Sequence, residues 1–337
     1  MDCNFNLKQC SKIYIGIAAE VLAAVLPKKR IIVLSDASID RLHPELLAHF
    51  ETILIGTGET IKTLTTAETI FRRLIELGAD RQTFLLGIGG GIVTDLAGFV
   101  ASTYMRGVQF GFVPTTLLGQ VDAAVGGKNG VNVCGYKNMV GTFTQPEFVV
   151  CDPALLRTLP DREFRAGLAE MIKVGVIADP QLFKSIEETE YCNLRGDASL
   201  LTQLICAAIG VKVSIVERDE CEVGERRKLN LGHTLAHAIE KCLIAMNHGE
   251  AVAIGMVAIA QAAQRKGMLS MPDCERITHL FERLGFELAL PVEMKRLLKA
   301  VAKDKKNECG KLHVVVPTSI GTCEVRDMTA EEFAGLF

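Results

Sequence analysis

The sequence predicts an α/β N-terminal part built on a parallel sheet, followed by a mostly α-helical C-terminal part. Three observations predict it. Up to about residue 152, short apolar runs alternate with segments of helical spacing, the pattern of buried parallel strands covered by helices on both faces. Beyond that point strand-like runs nearly vanish and long helical segments take over. No repeat, low-complexity tract or Ser/Gly linker intervenes, and the character changes just before Pro153. The 337 residues suffice for two domains, 1–152 and 153–337.

Taken in order, 12–15 reads as a short strand, and 18–26 as a helix stopped before Pro27, which cannot extend it. Residues 31–38 are a buried strand containing Asp36, followed by a helix over about 39–50 and a short strand at 52–56. A polar loop, 56–64, leads to a helix at 66–77. The strand at 83–91 runs into three consecutive glycines, a helix continues over 92–102, and 108–114 is the next strand. The second part carries helical spacing over 161–178, 180–191, 197–218, 228–245, 249–266, 272–284 and 292–303. Residues 311–325 predict a β-hairpin with Gly321 near its turn.

Composition narrows the function. Apolar residues make up 49%, an ordinary globular content rather than a disordered or fibrous one. A net charge of -3 argues against a nucleic-acid surface built on charge, but leaves room for a local basic pocket. The eleven cysteines are odd in number and form no Cys-x-x-Cys pair, which fits thiols of a reducing cytoplasm better than a disulfide framework. The first ten residues carry an acid and no long apolar core, so no secretory leader is expected there. No membrane span is expected either. The apolar stretch 251–263 is too short to cross a bilayer and reads as a buried helix.

The chemistry-bearing residues gather in three places. His233 and His237 are four apart in a helical segment and share a face, and His248 follows in an Asn-His-Gly-Glu turn. Such a group suits a divalent transition metal, most often zinc, although an isolated His-x-x-x-His pair is as often a polar helix face. Thr234 stands where a zinc protease needs glutamate. Glu170 and Lys173 share an otherwise apolar helical face, either as an ion pair or with Glu170 completing a Glu-His-His metal site with His233 and His248.

The second place is the Gly89–Gly91 triplet between a strand and a helix, where backbone can touch a pyrophosphate or simply turn tightly. Asp36 is placed to meet a ribose hydroxyl or to cap the next helix. Glu59, Lys62, Thr115 and Thr116 lie in loops beyond other strand ends. The third place is 120–141, which concentrates glycines with Asp122, Lys128, Asn129, Asn132, Lys137 and Asn138 and predicts a pocket for an anionic small molecule, or a glycine-rich surface loop. Arg106, Lys173, Lys212, Arg226, Lys305 and Lys306 are further cations that can join it.

The segments GETIKTL, GIGGGIVTDLAGFVASTYMRG, VPTTLLGQVDAAVGGKNGVN, KNMVGTF, LRTLPDREFRAGLAEMIKVGVI, LNLGHTLAHAIE and HGEAVAIGM occur in this order, with DKKNECGKLHVVV near the end. Together, from about 56 to 316, they resemble the 3-dehydroquinate synthases of the sugar-phosphate cyclase superfamily. The resemblance implies a Rossmann-like, NAD-binding α/β domain and a helical domain holding one divalent metal, Zn2+ or Co2+. It implies metal ligands at Glu170, His233 and His248, and gives His237 a place near the substrate phosphate. Positions matching NAD contacts are Asp36, Glu59, Lys62, Gly90, Gly91, Asp95, Thr115, Thr116, Asp122, Lys137 and Thr158. Substrate positions match Lys128, Asn138, Lys173, Lys212, Glu222, Arg226, Asn230 and one of Lys305 or Lys306. Arg106 resembles an arginine that reaches a neighbouring subunit, which implies a homodimer.

The implied reaction converts 3-deoxy-D-arabino-heptulosonate 7-phosphate to 3-dehydroquinate and phosphate, in the shikimate pathway of aromatic amino acid biosynthesis. Its steps are transient oxidation by NAD+, phosphate elimination, reduction, ring opening and aldol closure. No nucleic acid or membrane partner is implied. Asn129, Ala236, Val133 and Cys134 depart from the usual pattern and bear on specificity rather than reaction class. The alternatives are another sugar-phosphate cyclase, or a metal-dependent polyol dehydrogenase, which would release free NADH.

Overall fold

Long-range strand pairing organises the first part of the chain. The computed structural model describes residues 4–7, 11–243, 245–304 and 311–337. It divides into two units, Met1–Pro160 and Asp161–Phe337. In the first, β1 (Asn4–Asn6), β2 (Lys12–Ile15), α1 (Ala18–Val25), β3 (Ile31–Asp36), α2 (Ala37–Leu42), β4 (Glu51–Ile55), α3 (Leu64–Glu76), β5 (Phe84–Gly89), α4 (Gly91–Thr103) and β6 (Phe110–Pro114) follow one another. Then come a hairpin of β7 (Lys128–Val133) and β8 (Tyr136–Phe143), and a last strand, β9 (Phe148–Cys151).

Seven strands form one sheet in the order β1-β2-β9-β6-β5-β3-β4. Only β1 runs antiparallel to its neighbour. Successive strand side chains point to opposite faces. Phe84, Leu86 and Ile88 therefore share one face, where they pack with Ala18 and Leu22 of α1 and Ile39 of α2. All are almost fully buried, and each but Ala18 contributes about 1.5–3 kcal/mol. Gly87 and Gly89 face the other way. A Cβ on either would lie 2.8 Å from Ala97 or 2.6 Å from Val93, so their bareness lets α4 lie close on the second face.

The helices start where the sequence supplies caps. Asp36 and Thr63 accept backbone N–H groups at the starts of α2 and α3. The expected 39–50 helix is shorter, since Pro44 removes a donor and a 3-10 turn, Pro44–Leu46, replaces it. The glycine-rich stretch is a hairpin rather than a loop. Asn129 and Val131 are buried there, while β8 is mostly exposed.

The second unit contains α5 (Asp161–Ile177), α6 (Pro180–Glu187), α7 (Tyr191–Gly196), α8 (Ala198–Arg218), α9 (His233–Cys242), α10 (His248–Arg265), α11 (Met271–Arg283) and α12 (Met294–Asp304). The antiparallel pair β10 (Leu312–Ser319) and β11 (Thr322–Met328) and the short α13 (Ala330–Ala334) complete it. Gly321 turns the hairpin at φ 93. The expected 228–245 helix begins late. A 3-10 turn, Glu225–Asn230, precedes Gly232 at φ 79, a left-handed conformation that breaks the helical path, and α9 starts at His233.

Helices α5 and α10 are the buried pair. Every residue of α5 from Ala166 to Ile177 is buried. At Gly249 a Cβ would lie 2.2 Å from Ala166 Cα, and at Gly255 it would lie 2.2 Å from the Gly232 carbonyl. Glycine thus brings α10 against both α5 and the entry to α9. Helix α8 is long and apolar enough to cross a membrane by length and composition, and half of its apolar window is buried within the protein.

Candidate active site

The first unit gathers polar side chains at the carboxyl ends of its central strands. After β3 the chain moves outward to β4, then returns to β3's other side as β5. Open parallel sheets bind ligands where the strand order reverses in this way. Asp36 ends β3, Gly89 ends β5, and Thr115 follows β6. Gly90 is the N-cap of α4 and Gly91 its first residue, so the helix offers unblocked N–H groups to an anion. The glycines also serve packing: a Cβ at Gly90 or Gly91 would lie 3.0 Å from Thr116 or Ala123. Asp36 does cap α2, with Oδ1 accepting from Ser38 and Ile39 at 2.7 and 3.2 Å. The Thr115 N–H donates to the Gly89 carbonyl at 2.9 Å, and Thr116 Oγ1 accepts from Gly119 N at 3.0 Å.

Four of the expected residues form one network. Buried Lys62 donates to Asp95 and, at 2.6 Å, to Oδ1 of Asn138. Burial pushes the Asp95 carboxyl up, against the pull of Lys62. Asn132 joins the rest. Its Nδ2 donates to Glu59 at 2.7 Å, its Oδ1 accepts the Asn138 N–H at 2.9 Å, and its own N–H donates to the Lys62 carbonyl at 2.8 Å. Since Oδ1 of Asn138 is taken by Lys62, its amide hydrogens are the groups left to meet an anion.

The remaining first-unit candidates sit around this network or apart from it. Lys128 and Lys137 lie on β7 and β8 and are exposed. Asp122 is part-buried in the π-helical turn Gly119–Ala123. Thr158 bonds His43 Nε2 at 2.8 Å. Arg106 ends a turn in which Met105, Arg106 and Gly107 all have positive φ. Asn129 faces inward, opposite Lys128 on the strand. Its amide donates to Gly127 O and Thr144 O at 3.0 and 2.9 Å, so this departure seats the hairpin.

In the second unit, Glu170 of α5 and the first residues of α9 and α10, His233 and His248, converge. One ligating atom from each lies within 4.8 Å of the others. Glu170 Oε1 is 3.4 Å from His248 Nε2 and 3.8 Å from His233 Nε2, while its Oε2 accepts from Lys173. His233 Nδ1 contacts the Leu231 carbonyl at 3.1 Å, and His248 Nδ1 contacts Glu240 at 3.3 Å. An acceptor at Nδ1 leaves Nε2 of each ring as the electron-pair donor. Both donors then face one carboxylate oxygen, and a divalent transition metal fits that set. Burial and the nearby Lys173 charge lower His233 to about 3, which keeps it neutral, the form that ligates. Burial opposes charge on His248 too, but Glu170 and Glu240 outweigh it and raise it to about 9, so without metal a proton holds this place.

His237, one turn beyond His233, is exposed and stays outside the triad, with ring centroids 5.6 Å apart. Lys173, Lys212 and Arg226 are all buried. Asp219 shapes the Arg226 turn: its carboxylate accepts from Val223, Gly224 and Arg226 N–H groups at 3.0, 2.7 and 3.0 Å. Arg226 also donates to the Glu220 carbonyl, and Asn230 donates to Glu222. Lys305 and Lys306 lie outside the described residues.

Sequence reasoning missed Glu240, Asp219 and His43, and took Asn132 only as one amide among several. Glu240 did leave a signal: it lies seven residues after His233, on the same helical face. Asp219 and His43 left none, because their roles come from the fold around them.

Residues 52–166 match the family described as 3-dehydroquinate synthase N-terminal, and 167–307 the family described as 3-dehydroquinate synthase C-terminal. A 3-dehydroquinate synthase from Synechocystis sp. is 40% identical over 328 residues, covering 93% of this chain and 91% of the relative. Among solved structures, a 2-epi-5-epi-valiolone synthase from Streptomyces hygroscopicus subsp. jinggangensis, with NAD+ and Zn2+ bound, superposes with a TM-score of 0.87 at 27% identity. That match covers 96% of this chain and 94% of the other. A 2-deoxy-scyllo-inosose synthase complexed with carbaglucose-6-phosphate, NAD+ and Co2+ gives a TM-score of 0.87 at 25% identity, covering 100% and 99%.

Proposed function

The chain belongs to the 3-dehydroquinate synthase family, and from that premise we propose how its residues carry the family's reaction. The substrate is 3-deoxy-D-arabino-heptulosonate 7-phosphate, and the products are 3-dehydroquinate and phosphate. The observation that carries the reading is the buried Glu170–His233–His248 triad, with both imidazoles oriented through Nδ1.

Glu170, His233 and His248 hold a divalent metal, Zn2+ or Co2+, and the first unit's residues hold NAD+. When bound, these groups supply Lewis-acid activation of a substrate carbinol and a reversible hydride acceptor, as befits a phosphorus-oxygen lyase that regenerates its cofactor. Gly90, Gly91 and the start of α4 receive the cofactor's pyrophosphate. Asp36, Glu59, Lys62, Asp95, Thr115, Thr116, Asp122, Lys137 and Thr158 orient the rest of it. Lys128 and the Asn138 amide hold the substrate phosphate, with His237 nearby. Lys212 and Arg226 hold its carboxylate. Lys173 contacts substrate as well as Glu170, while Glu222 and Asn230 orient hydroxyls. These charges fix one geometry through several bond changes, which is where orientation contributes most. Arg106 serves a neighbouring subunit's site in a homodimer, and cytoplasmic residence fits the free thiols.

The test is turnover of the heptulosonate phosphate with catalytic NAD+ and Zn2+. Equal release of phosphate and 3-dehydroquinate, with no net NADH, is expected. NADH accumulating on simple polyols would make the protein a dehydrogenase. Phosphate release from a different sugar phosphate alone would make it another cyclase.

A further inference from the structure

We propose that Glu240 is a positioning residue of the metal centre, accepting the Nδ1–H of His248 so that Nε2 faces the metal. The inference rests on the reading of Glu170, His233 and His248 as ligands. Glu240 belongs to α9, whereas His248 begins α10, so this contact joins two helices. The Glu240 side chain is 3% exposed, and its Oε1 lies 3.3 Å from His248 Nδ1. Burying a carboxylate on a largely apolar helix face is unfavourable without a polar partner, and the ligand imidazole is one.

The two imidazoles are held differently. His233, 10% exposed, is fixed by a backbone carbonyl two residues before it, within its own turn. His248 stands at a helix start with 28% of its side chain exposed, and the Glu240 carboxylate fixes its Nδ1 side. A carboxylate behind a ligating imidazole selects the tautomer, holds the ring plane and raises the basicity of the ligating nitrogen. Glu240 does all three for His248 without touching the metal.

Two variants separate these effects. Glu240→Gln keeps an acceptor of the same size and removes the charge, and Glu240→Ala removes both. Zn2+ affinity of the full-length, metal-stripped chain is measured by competition with a chromophoric chelator. The visible absorption of the Co2+ form reports ligand geometry, and thermal unfolding is followed with and without Zn2+. Zinc binding is expected to weaken about 10–100-fold in Glu240→Ala and by less in Glu240→Gln, with an altered Co2+ spectrum. Affinities within twofold of the unchanged chain in both variants, and an unchanged Co2+ spectrum, would overturn the proposal. If Glu240→Ala does not fold, Glu240→Gln decides by the same limits. A purely structural role would lower the unfolding temperature of the metal-free protein and leave the Zn2+-induced shift intact. His248→Ala guards the premise: undiminished zinc affinity there would remove the metal reading itself.

Discussion

Glu170 and Lys173 lie one helical turn apart with side chains 1% and 2% exposed, and each makes the other tolerable inside α5. Removing one partner of such a pair leaves a buried charge, so Glu170→Ala should destabilise the metal-free protein by about 3–5 kcal/mol in urea unfolding. Glu170→Gln should abolish zinc binding while preserving volume. Asp219 acts through hydrogen bonds. Burial works against its ionised form, but the N–H groups of Arg226, Gly224 and Val223 outweigh burial, so its folded pKa lies below the ordinary 3.8. Its contribution is therefore complete above the unfolded carboxylate value and is lost as pH falls from about 3.8 through the lower folded value. Asp219→Asn should flatten the stability-versus-pH curve in that acid window, and an unchanged slope there would refute the role. Residue identities were legible where chemistry restricts the choice, as at Glu170, His233 and His248. Backbone conformation was not. Of the five described non-glycine residues with positive φ, Arg106, Asn138 and Glu222 are candidate site residues, and, Asn138 apart, their side chains do not announce a backbone held in a rarely adopted region.

The candidate metal triad depends on close helix approach. His248 opens α10, and the next residue, Gly249, touches Ala166 of α5. Gly249→Ala would place a methyl 2.2 Å from Ala166 Cα. It should part the two helices, lowering both zinc affinity and thermal stability, whereas a change in stability alone would detach the crossing from the site. In the other unit, a Cβ on Gly98 of α4 would lie 1.9 Å from Asn129 Oδ1. Gly98→Ala should cost about 1–3 kcal/mol through overpacking. Much of that loss should vanish when Asn129 is shortened to Ser, and a double-mutant cycle measures the coupling. At this scale, long helices and buried strands were legible because apolar periodicity marks them. The β7–β8 hairpin escaped because β8 is mostly exposed and has no buried face to impose alternation. The strand β9 escaped because four apolar residues beside a proline-rich junction carry too short a pattern to read.

At the scale of the whole molecule, the residues proposed to hold the cofactor fall in Met1–Pro160 and those proposed to hold the metal in Asp161–Phe337. Hydrogen exchange should separate the two ligands: zinc alone should protect amides around the starts of α9 and α10 and the middle of α5, and NAD+ alone those of the β5–α4 turn. Protection by zinc of the β5–α4 turn alone would contradict the metal assignment. The seven-stranded sheet carries a further consequence, for synthesis. Ile15 of β2 pairs with Cys151 of β9, and β9 also pairs with β6, so β2 joins the sheet only through a strand made 151 − 15 = 136 residues later. At about 5–20 residues per second, a ribosome takes about 7–27 s to cover that distance. β6 is made late in that interval, and from then until β9 follows it is an open edge, able to pair with any extended peptide it meets. Slowing the ribosome between β6 and β9 should therefore lower the soluble yield more than slowing it within the helical half.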